Sequence, residues 1–152
     1  MEELLLSVHV VAGILFVGPV AVTISLFPRY APVLAGAPVA DGRVARSAET
    51  ARLLHRVTRV YGVAAVVVPV VGLTLATVQG RTTEVWVVVA MVLTAIAGGL
   101  LALQVVPRQR EALAVPDDGT QLRRLGMLAG VFNLLWAVVV VLMVVRPGSV
   151  SS

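Results

Sequence analysis

Few side chains in the hydrophobic stretches of this 152-residue chain are able to take part in chemistry. Besides scattered serines and threonines, four polar residues lie inside apolar runs, namely His9, Tyr61, Gln104 and Asn133. A polar group in such a run is costly to bury unless it is paired, so each is a candidate functional residue. No Asp or Glu lies within these runs, which argues against a proton-coupled transporter and against a carboxylate metal site.

His9 is the residue best suited to binding a ligand. An imidazole inside a span either ligates haem or a metal, or transfers protons, or is neutral and hydrogen-bonded to a neighbouring helix. The sequence leaves both interpretations open. The other histidine, His55, lies at the far end of the second run, about 20–25 Å away by helix rise, so the two cannot ligate one haem within a monomer. His55 stands among arginines and is predicted to belong to a patch that contacts lipid head groups.

The composition of the chain indicates an integral membrane protein. Its residues are 59% hydrophobic and 13% charged, and the mean hydropathy is +0.98. A soluble domain of this size needs more charge to cover its surface. The chain has no cysteine, which excludes disulfides, thiolate metal sites and covalent haem attachment. All 12 basic residues are arginines, so a catalytic or Schiff-base lysine is excluded as well.

Four apolar runs predict an all-α, four-span transmembrane helix bundle that forms a single domain over residues 1–152. The first run follows an acidic start and has full span length, so we interpret it as a retained span and not as a signal peptide. Pro69 is expected to kink the second span, and Pro107 to end the third. The spans are expected at about residues 4–27, 57–78, 85–106 and 125–145.

The arginines predict the orientation of the bundle. The two longer connections, residues 29–59 and 108–124, carry six and four arginines, whereas the opposite side carries only Arg81 and Arg146. By the positive-inside rule, both long connections face the cytoplasm and both termini lie outside. We therefore expect an N-out, C-out, multi-pass protein of the bacterial inner membrane.

A basic collar is predicted at the cytoplasmic face of the bundle. Ser47 and Glu49 favour the start of a helix there, and the arginines that follow recur at helical spacing. An arginine near an anionic leaflet contributes about 1 kcal/mol, so anionic lipid, and not nucleic acid, is the expected acidic partner. The alternative is that these arginines only set the topology. The collar comprises Arg43, Arg46, Arg52, Arg56, Arg59, Arg123 and Arg124, of which the last five are the predicted lipid-binding residues.

Small residues at a spacing of four predict close helix packing. Gly126 and Gly130 form a GxxxG step in the fourth span, and Gly98 with Ala102 forms a similar step in the third. Asn133, about one turn after Gly130, is placed to hydrogen-bond across such a contact. The pattern does not choose between packing within the chain and association with a second copy or with another membrane protein.

Three short segments carry a resemblance to a known group of membrane proteins. The segments are His9 with Phe16, Gly18 and Pro28-Arg29; Gly72-Leu73-Thr74-Leu75-Ala76; and Asn133 with Met143-Val144-Val145-Arg146-Pro147-Gly148. They resemble the CopD-type copper-resistance domains and the HemJ-type protoporphyrinogen oxidases, and most of all a branch of that group formed by small membrane proteins of unassigned function. The resemblance implies a four-helix membrane bundle and, by analogy, b-type haem binding through His9.

The sequence thus predicts a membrane helix bundle that is a non-catalytic accessory or partner-binding component of a larger membrane assembly. The scarcity of polar groups inside the spans and the absence of known catalytic motifs favour this interpretation. The first alternative is a b-type haem or redox protein that uses His9, so haem b is the candidate cofactor. The second alternative is a small transporter or metal carrier.

Overall fold

The structure is a computed structural model that describes residues 2–37 and 46–148. These residues form helices and connecting turns, and none of them is in a strand. Four helices are long and apolar enough to cross a membrane, which confirms the predicted all-helical fold with four span-length helices. They are α1 (Glu2–Tyr30), α2 (Ala48–Val78), α3 (Val85–Ala114) and α4 (Thr120–Val145).

Each of α1, α2 and α3 is interrupted in the turn before a proline. The prolines are Pro19, Pro69 and Pro107, and the interrupted turns are Gly13–Val17, 65–66 and Leu101–Val105. A proline has no N–H, and its ring clashes with the carbonyl four residues earlier in a regular helix. In all three helices that carbonyl belongs to the interrupted turn, where a π-helical turn in α1 and α3, or an open turn in α2, makes room for the ring.

The prediction that Pro107 ends the third span is wrong. The helix continues through Pro107 to Ala114, about two further turns. The π-helical turn at Leu101–Val105 lies just before the proline. Its wider hydrogen-bonding pattern accommodates a residue that has no N–H, so the chain remains helical. The first part of the expected polar connection, residues 108–114, is therefore helical and packs against α2.

The helices pack tightly at one end of the bundle, which we call the loop end because it contains the described connecting residues 31–37, 46–47 and 115–119. The second part of α1, Gly18–Tyr30, packs there against the first part of α2 and against α4. Phe27 and Ile24 of α1 are completely or almost completely buried, as are Val105 of α3 and Leu125 of α4. The main core of the protein lies at this end.

The helices separate at the opposite end, which we call the terminal end because it contains Glu2 and Arg146 together with the link 79–84. Here Glu2–Ala12 of α1 packs along Val67–Val78 of α2, and the first part of α3 packs along α4. The two helix pairs meet only sparsely. A pocket lies between them.

Side chains near the loop end satisfy the free backbone groups where α2 and α4 begin. The hydroxyl of Ser47 accepts a hydrogen bond of 3.3 Å from the N–H of Thr50, so α2 begins at Ala48 in agreement with the predicted helix start. The carboxylate of Asp117 accepts a hydrogen bond of 3.0 Å from the N–H of Gln121 in the first turn of α4. Both contacts supply acceptors to N–H groups that have no partner within the helix.

Arg46 satisfies the free carbonyls at the end of α1. Its guanidinium donates to the carbonyl of Ala31 at 2.7 Å and to that of Pro28 at 3.1 Å. A cation at this position also interacts favourably with the negative end of the helix dipole. Arg46 therefore fastens the connection after α1 to the helix that precedes it.

Candidate functional site

A pocket of about 470 Å³ lies between the two helix pairs at the terminal end, and all four helices contribute to its walls. Its lining is mainly aliphatic, with a small number of polar and aromatic side chains. Ligand pockets in proteins usually measure roughly 300–1,000 Å³ and have this mixture of lining residues. We call it the His9 pocket, because His9 forms part of its wall.

His9 is held in a fixed orientation by the neighbouring helix. Its ring is buried, and Nδ1 lies 3.0 Å from the carbonyl oxygen of Val68 in α2. A carbonyl only accepts hydrogen bonds, so Nδ1 carries the proton and donates it. In the neutral ring the lone pair is then on Nε2, the other ring nitrogen. Histidines that ligate a metal through Nε2 are commonly oriented by such a bond.

Gly72 makes room for the imidazole. It lies one turn after Val68, so the Val68 carbonyl points along the helix toward it. A Cβ atom at position 72 would be 2.7 Å from Cε1 of His9 and 3.2 Å from Nδ1, which is too close for the ring to stay in place. Gly72 belongs to one of the segments that carry the family resemblance, and the structure gives this glycine a physical role.

A free cation lies at the mouth of the pocket. The guanidinium carbon of Arg146 is 5.9 Å from the centre of the Trp86 ring, and its Nε donates to the carbonyl of Met143 at 3.3 Å. The indole N–H of Trp86 donates to the carboxylate of Glu84, which also pairs with Arg81 at 3.7 Å. In the described part of the chain, no carboxylate lies within ion-pairing distance of Arg146.

The ring of Trp136 contributes to the pocket wall, and its Nε1 is buried inside the protein without a hydrogen-bond partner among the described residues. The same ring packs against Phe132 at a tilt of 60°, with 6.3 Å between the ring centres. Leaving a buried N–H unpaired costs about 1–3 kcal/mol.

The donor atoms of the pocket fit a b-type haem. Met91 and Met143 line the same space as His9, and haem iron accepts both imidazole nitrogen and thioether sulfur. Arg146 is suited to the haem carboxylates, since arginine binds carboxylates through paired hydrogen bonds. Among residues 2–37 and 46–148, no three His, Asp or Glu side chains are grouped so as to hold a metal ion by themselves.

His55 lies away from the pocket, and its Nδ1 donates to the side-chain oxygen of Gln109 at 3.0 Å. Its place in a lipid-binding patch stays a prediction. Gln109 is fully buried at the loop end. The sequence did not predict this residue, because a proline at position 107 indicates the end of a helix. The burial of Val105, Gln109 and Ala112 at helical spacing is the signal that the helix continues.

The small-residue steps do not pack inside the chain. Gly98, Gly126 and Gly130 are exposed, and no atom lies within 4 Å of a Cβ built on any of them. Ala102 is exposed as well, so association of these surfaces with a second copy or another membrane protein stays a prediction. Asn133 hydrogen-bonds elsewhere: its Nδ2 donates to the hydroxyl of Ser25 in α1 at 3.0 Å.

The arginines predicted to bind lipid are exposed at the loop end, and their binding of head groups stays a prediction. Arg43 lies outside the described residues. Arg46 hydrogen-bonds the carbonyls at the end of α1. Of the other polar candidates inside the spans, Gln104 accepts a hydrogen bond of 3.1 Å from Arg108, and Tyr61 is exposed. The exposed arginines are Arg52, Arg56, Arg59, Arg123 and Arg124.

Comparison of the chain with protein-family models, with curated proteins and with solved structures finds no match. The resemblance to CopD-type and HemJ-type proteins therefore stays a prediction. The function is inferred below from the geometry of the His9 pocket.

Proposed function

We propose that this protein is a non-catalytic, multi-pass component of the bacterial inner membrane that holds an apolar ligand in the His9 pocket and serves a larger membrane assembly. One observation carries the proposal: an imidazole that the Val68 carbonyl holds in a fixed orientation lines a mainly apolar pocket, together with the guanidinium of Arg146. Few polar groups at fixed positions in an apolar cavity are typical of a ligand site.

The length of α4 that borders the pocket supports a ligand taken from one leaflet of the bilayer. Trp136 and Arg146 both line the pocket and are ten residues apart on and just beyond α4. That separation corresponds to about 15 Å of helix. Half of a hydrocarbon core of roughly 30 Å is about the same depth. A lipid-soluble molecule of the outer leaflet fits the proposed orientation, with both termini outside.

Bound ligand is tested by mass spectrometry of protein extracted in a mild, neutral detergent. We expect a co-purifying apolar molecule in the wild type and its loss in Ala90→Leu, because Ala90 is buried on the pocket wall. Ala102→Leu is the matched control, since it adds the same atoms at an exposed position. Folded wild-type protein without any bound apolar molecule, or equal loss in both variants, would reject the proposal.

Haem b is a second candidate ligand, favoured by the hydrogen bond that holds Nδ1 of His9 and by the two thioethers on the pocket wall. When bound, haem would supply redox chemistry, and His9 with Met91 or Met143 would hold its iron. The absorption spectrum of the purified protein tests this candidate. A Soret band that His9→Ala removes is expected for haem, whereas a colourless and fully folded preparation dismisses it.

The proposed orientation is tested with two reporters that are active only in the cytoplasm. One is attached at Ser152 and the other is inserted within residues 108–124. We expect activity only from the second reporter, because ten of the twelve arginines lie on that side. Activity at Ser152 would reverse the orientation and place the pocket in the inner leaflet.

A further inference from the structure

We propose that the His9 pocket opens sideways into the bilayer and takes up the acyl chain of a lipid through a gap between α1 and α4. We call this gap the portal and define it by four residues that line the pocket, Leu6 and Val10 of α1 and Met143 and Val144 of α4. The inference rests on the proposed function, because it names the chemical class of the ligand and the route by which it enters.

The walls of the pocket differ in their exposure. On the wall formed by α2 and α3, Val68, Ala76 and Ala90 are buried. On the wall formed by α1 and α4, Val10 is 51% exposed and Val144 is 77% exposed. Residues at the floor of a cleft are buried, whereas those at its edge are exposed. The opening of the pocket therefore lies between α1 and α4.

The packing of the helices explains why the cleft is open on this side. At the terminal end, α2 and α3 are joined by the short link 79–84, whereas α1 and α4 are not consecutive in the chain. Residues Glu2–Ala12 of α1 pack along α2 and make little contact with α4. From Gly18 to Tyr30, α1 packs against α4 and closes the inner end of the gap. The portal thus occupies the half of the bundle nearer the terminal end.

The portal faces hydrocarbon and not water. Its side chains are all apolar, and they lie in the runs 4–27 and 125–145, which contain no Asp, Glu, Lys or Arg. Both runs belong to helices long and apolar enough to cross a membrane. A charged or strongly polar group that passes through such a gap loses its hydration without gaining a partner. A polar head group is therefore expected to stay at the membrane surface while an apolar chain enters.

The same environment favours an acyl chain as the occupant. A slender, flexible chain is the component of a bilayer that fits between two helices while its head group remains outside. Leaving the bilayer for the pocket exchanges one apolar environment for another, so van der Waals packing against the aliphatic walls decides the occupancy. The ligand class that follows is a chain-bearing lipid already dissolved in the membrane.

The test uses tryptophan fluorescence, because both tryptophans of the chain, Trp86 and Trp136, line the pocket. Full-length protein is reconstituted in phosphatidylcholine that carries bromine atoms partway along its acyl chains, since bromine quenches tryptophan emission on contact. Emission in the same lipid without bromine is the reference. A chain that enters the pocket should quench the emission, and a narrower portal should reduce this quenching.

Adjacent valines supply variants and matched controls. Val10→Phe and Val144→Phe add bulk to the portal, and each should lower the quenching several-fold. Val11→Phe and Val145→Phe add the same bulk one residue further along each helix, at exposed positions outside the pocket wall, and should retain the quenching of the wild type. Val11 has the same exposure as Val10, 51%, so a general effect of an exposed aromatic ring would appear in both.

Two further arms complete the experiment. Ala90→Leu fills the pocket from its closed wall and should lower the quenching whatever the route of entry. Brominated stearic acid in bilayers without other bromine distinguishes a free fatty acid from a phospholipid chain as the source of the occupant. Circular dichroism and thermal unfolding confirm that each variant is folded, and Val10→Leu replaces Val10→Phe if the latter does not fold.

The outcomes separate the route of entry from the ligand site. Loss of quenching in Val10→Phe and Val144→Phe, with the controls unchanged, supports the portal. Equal quenching in the portal variants and their controls, together with a loss in Ala90→Leu, overturns the portal and leaves the proposed function standing. Quenching that none of these variants lowers overturns both. Quenching that falls as the ratio of protein to lipid rises would show that a second copy covers the portal, and this also overturns the lipid chain.

Discussion

The ring of His9 occupies the space that a side chain at Gly72 would fill, since a Cβ there would lie 2.7 Å from Cε1 of His9. The two residues are on different helices, so a glycine of α2 sets how closely α1 approaches at the terminal end. The Val68 carbonyl is reached by Nδ1 only because this position has no side chain.

Gly72→Ala is therefore expected to lower the free energy of unfolding by about 1–3 kcal/mol, the usual effect of overfilling a packed site. Unfolding in detergent measures it. The control is Gly98→Ala, where no atom lies within 4 Å of the new methyl group; it should be neutral or slightly stabilising. The double variant His9→Ala/Gly72→Ala should lose less than the two single effects combined. Equal effects at positions 72 and 98 would contradict this account.

Arg46→Gln is expected to destabilise the protein by about 1–3 kcal/mol, because the carbonyls of Pro28 and Ala31 lose a charged donor. Thermal unfolding measures the effect. Arg52→Gln is the matched control, because Arg52 is exposed, and its effect should stay within about 0.5 kcal/mol. If the two variants behaved alike, Arg46 would be only another arginine of the collar.

Asn133 and Ser25 should be coupled, because the Asn133 amide donates to the Ser25 hydroxyl across two helices. A double-mutant cycle of Asn133→Ala and Ser25→Ala should give a coupling energy of about 0.5–1 kcal/mol, typical of such bonds in membrane proteins. Ser7→Ala provides the control, since Ser7, like Ser25, donates to a carbonyl of its own helix. A coupling of zero would show that the inter-helix bond contributes nothing to stability.

The exposed collar arginines are expected to bind anionic lipid. Changing Arg52, Arg56 and Arg59 together to glutamine should lower thermal stability in bilayers that contain phosphatidylglycerol or cardiolipin, with little effect in neutral bilayers. The comparison between lipids is the control. Equal loss in both lipids, or no loss in either, would leave these arginines with a topological role alone.

Stability should also depend on pH through Asp118. A hydrogen bond from the Thr120 side chain, together with one from its N–H, lowers the pKa of the Asp118 carboxyl below its ordinary value. A carboxyl with a lowered pKa in the folded state contributes stability above its ordinary pKa, and this contribution is lost as the pH falls through the lowered one. The difference in unfolding free energy between wild type and Asp118→Asn should therefore shrink in acid. Parallel pH curves would contradict this.

The four helices were predictable because each apolar run is long enough to cross the hydrocarbon core. The course of the chain near prolines was harder to predict. Pro107 ends a helix only if the preceding turn is regular, and the π-helical turn at Leu101–Val105 depends on packing that no local pattern records.

The candidate site was predictable only in part. A lone imidazole in a span identified His9 as a candidate functional residue. Its hydrogen bond to Val68 joins residues 59 positions apart, and such a pair cannot be predicted from one sequence. For the same reason, the sequence did not show which face of a helix points toward the other helices. Gly126 and Gly130 share one face of α4, and only the tertiary structure shows that this face points away from the other helices.

The interrupted turns before the three prolines give the protein a built-in set of hinges. Beyond the turn at Gly13–Val17, the first part of α1 is a rigid arm of about 17 Å. A rotation of about ten degrees at its base moves the tip by about 3 Å, and hinge motions in other proteins move segments in the same way. On the proposed function, a change in bilayer thickness that tilts this arm is expected to change the width of the pocket and the molecules that it accepts.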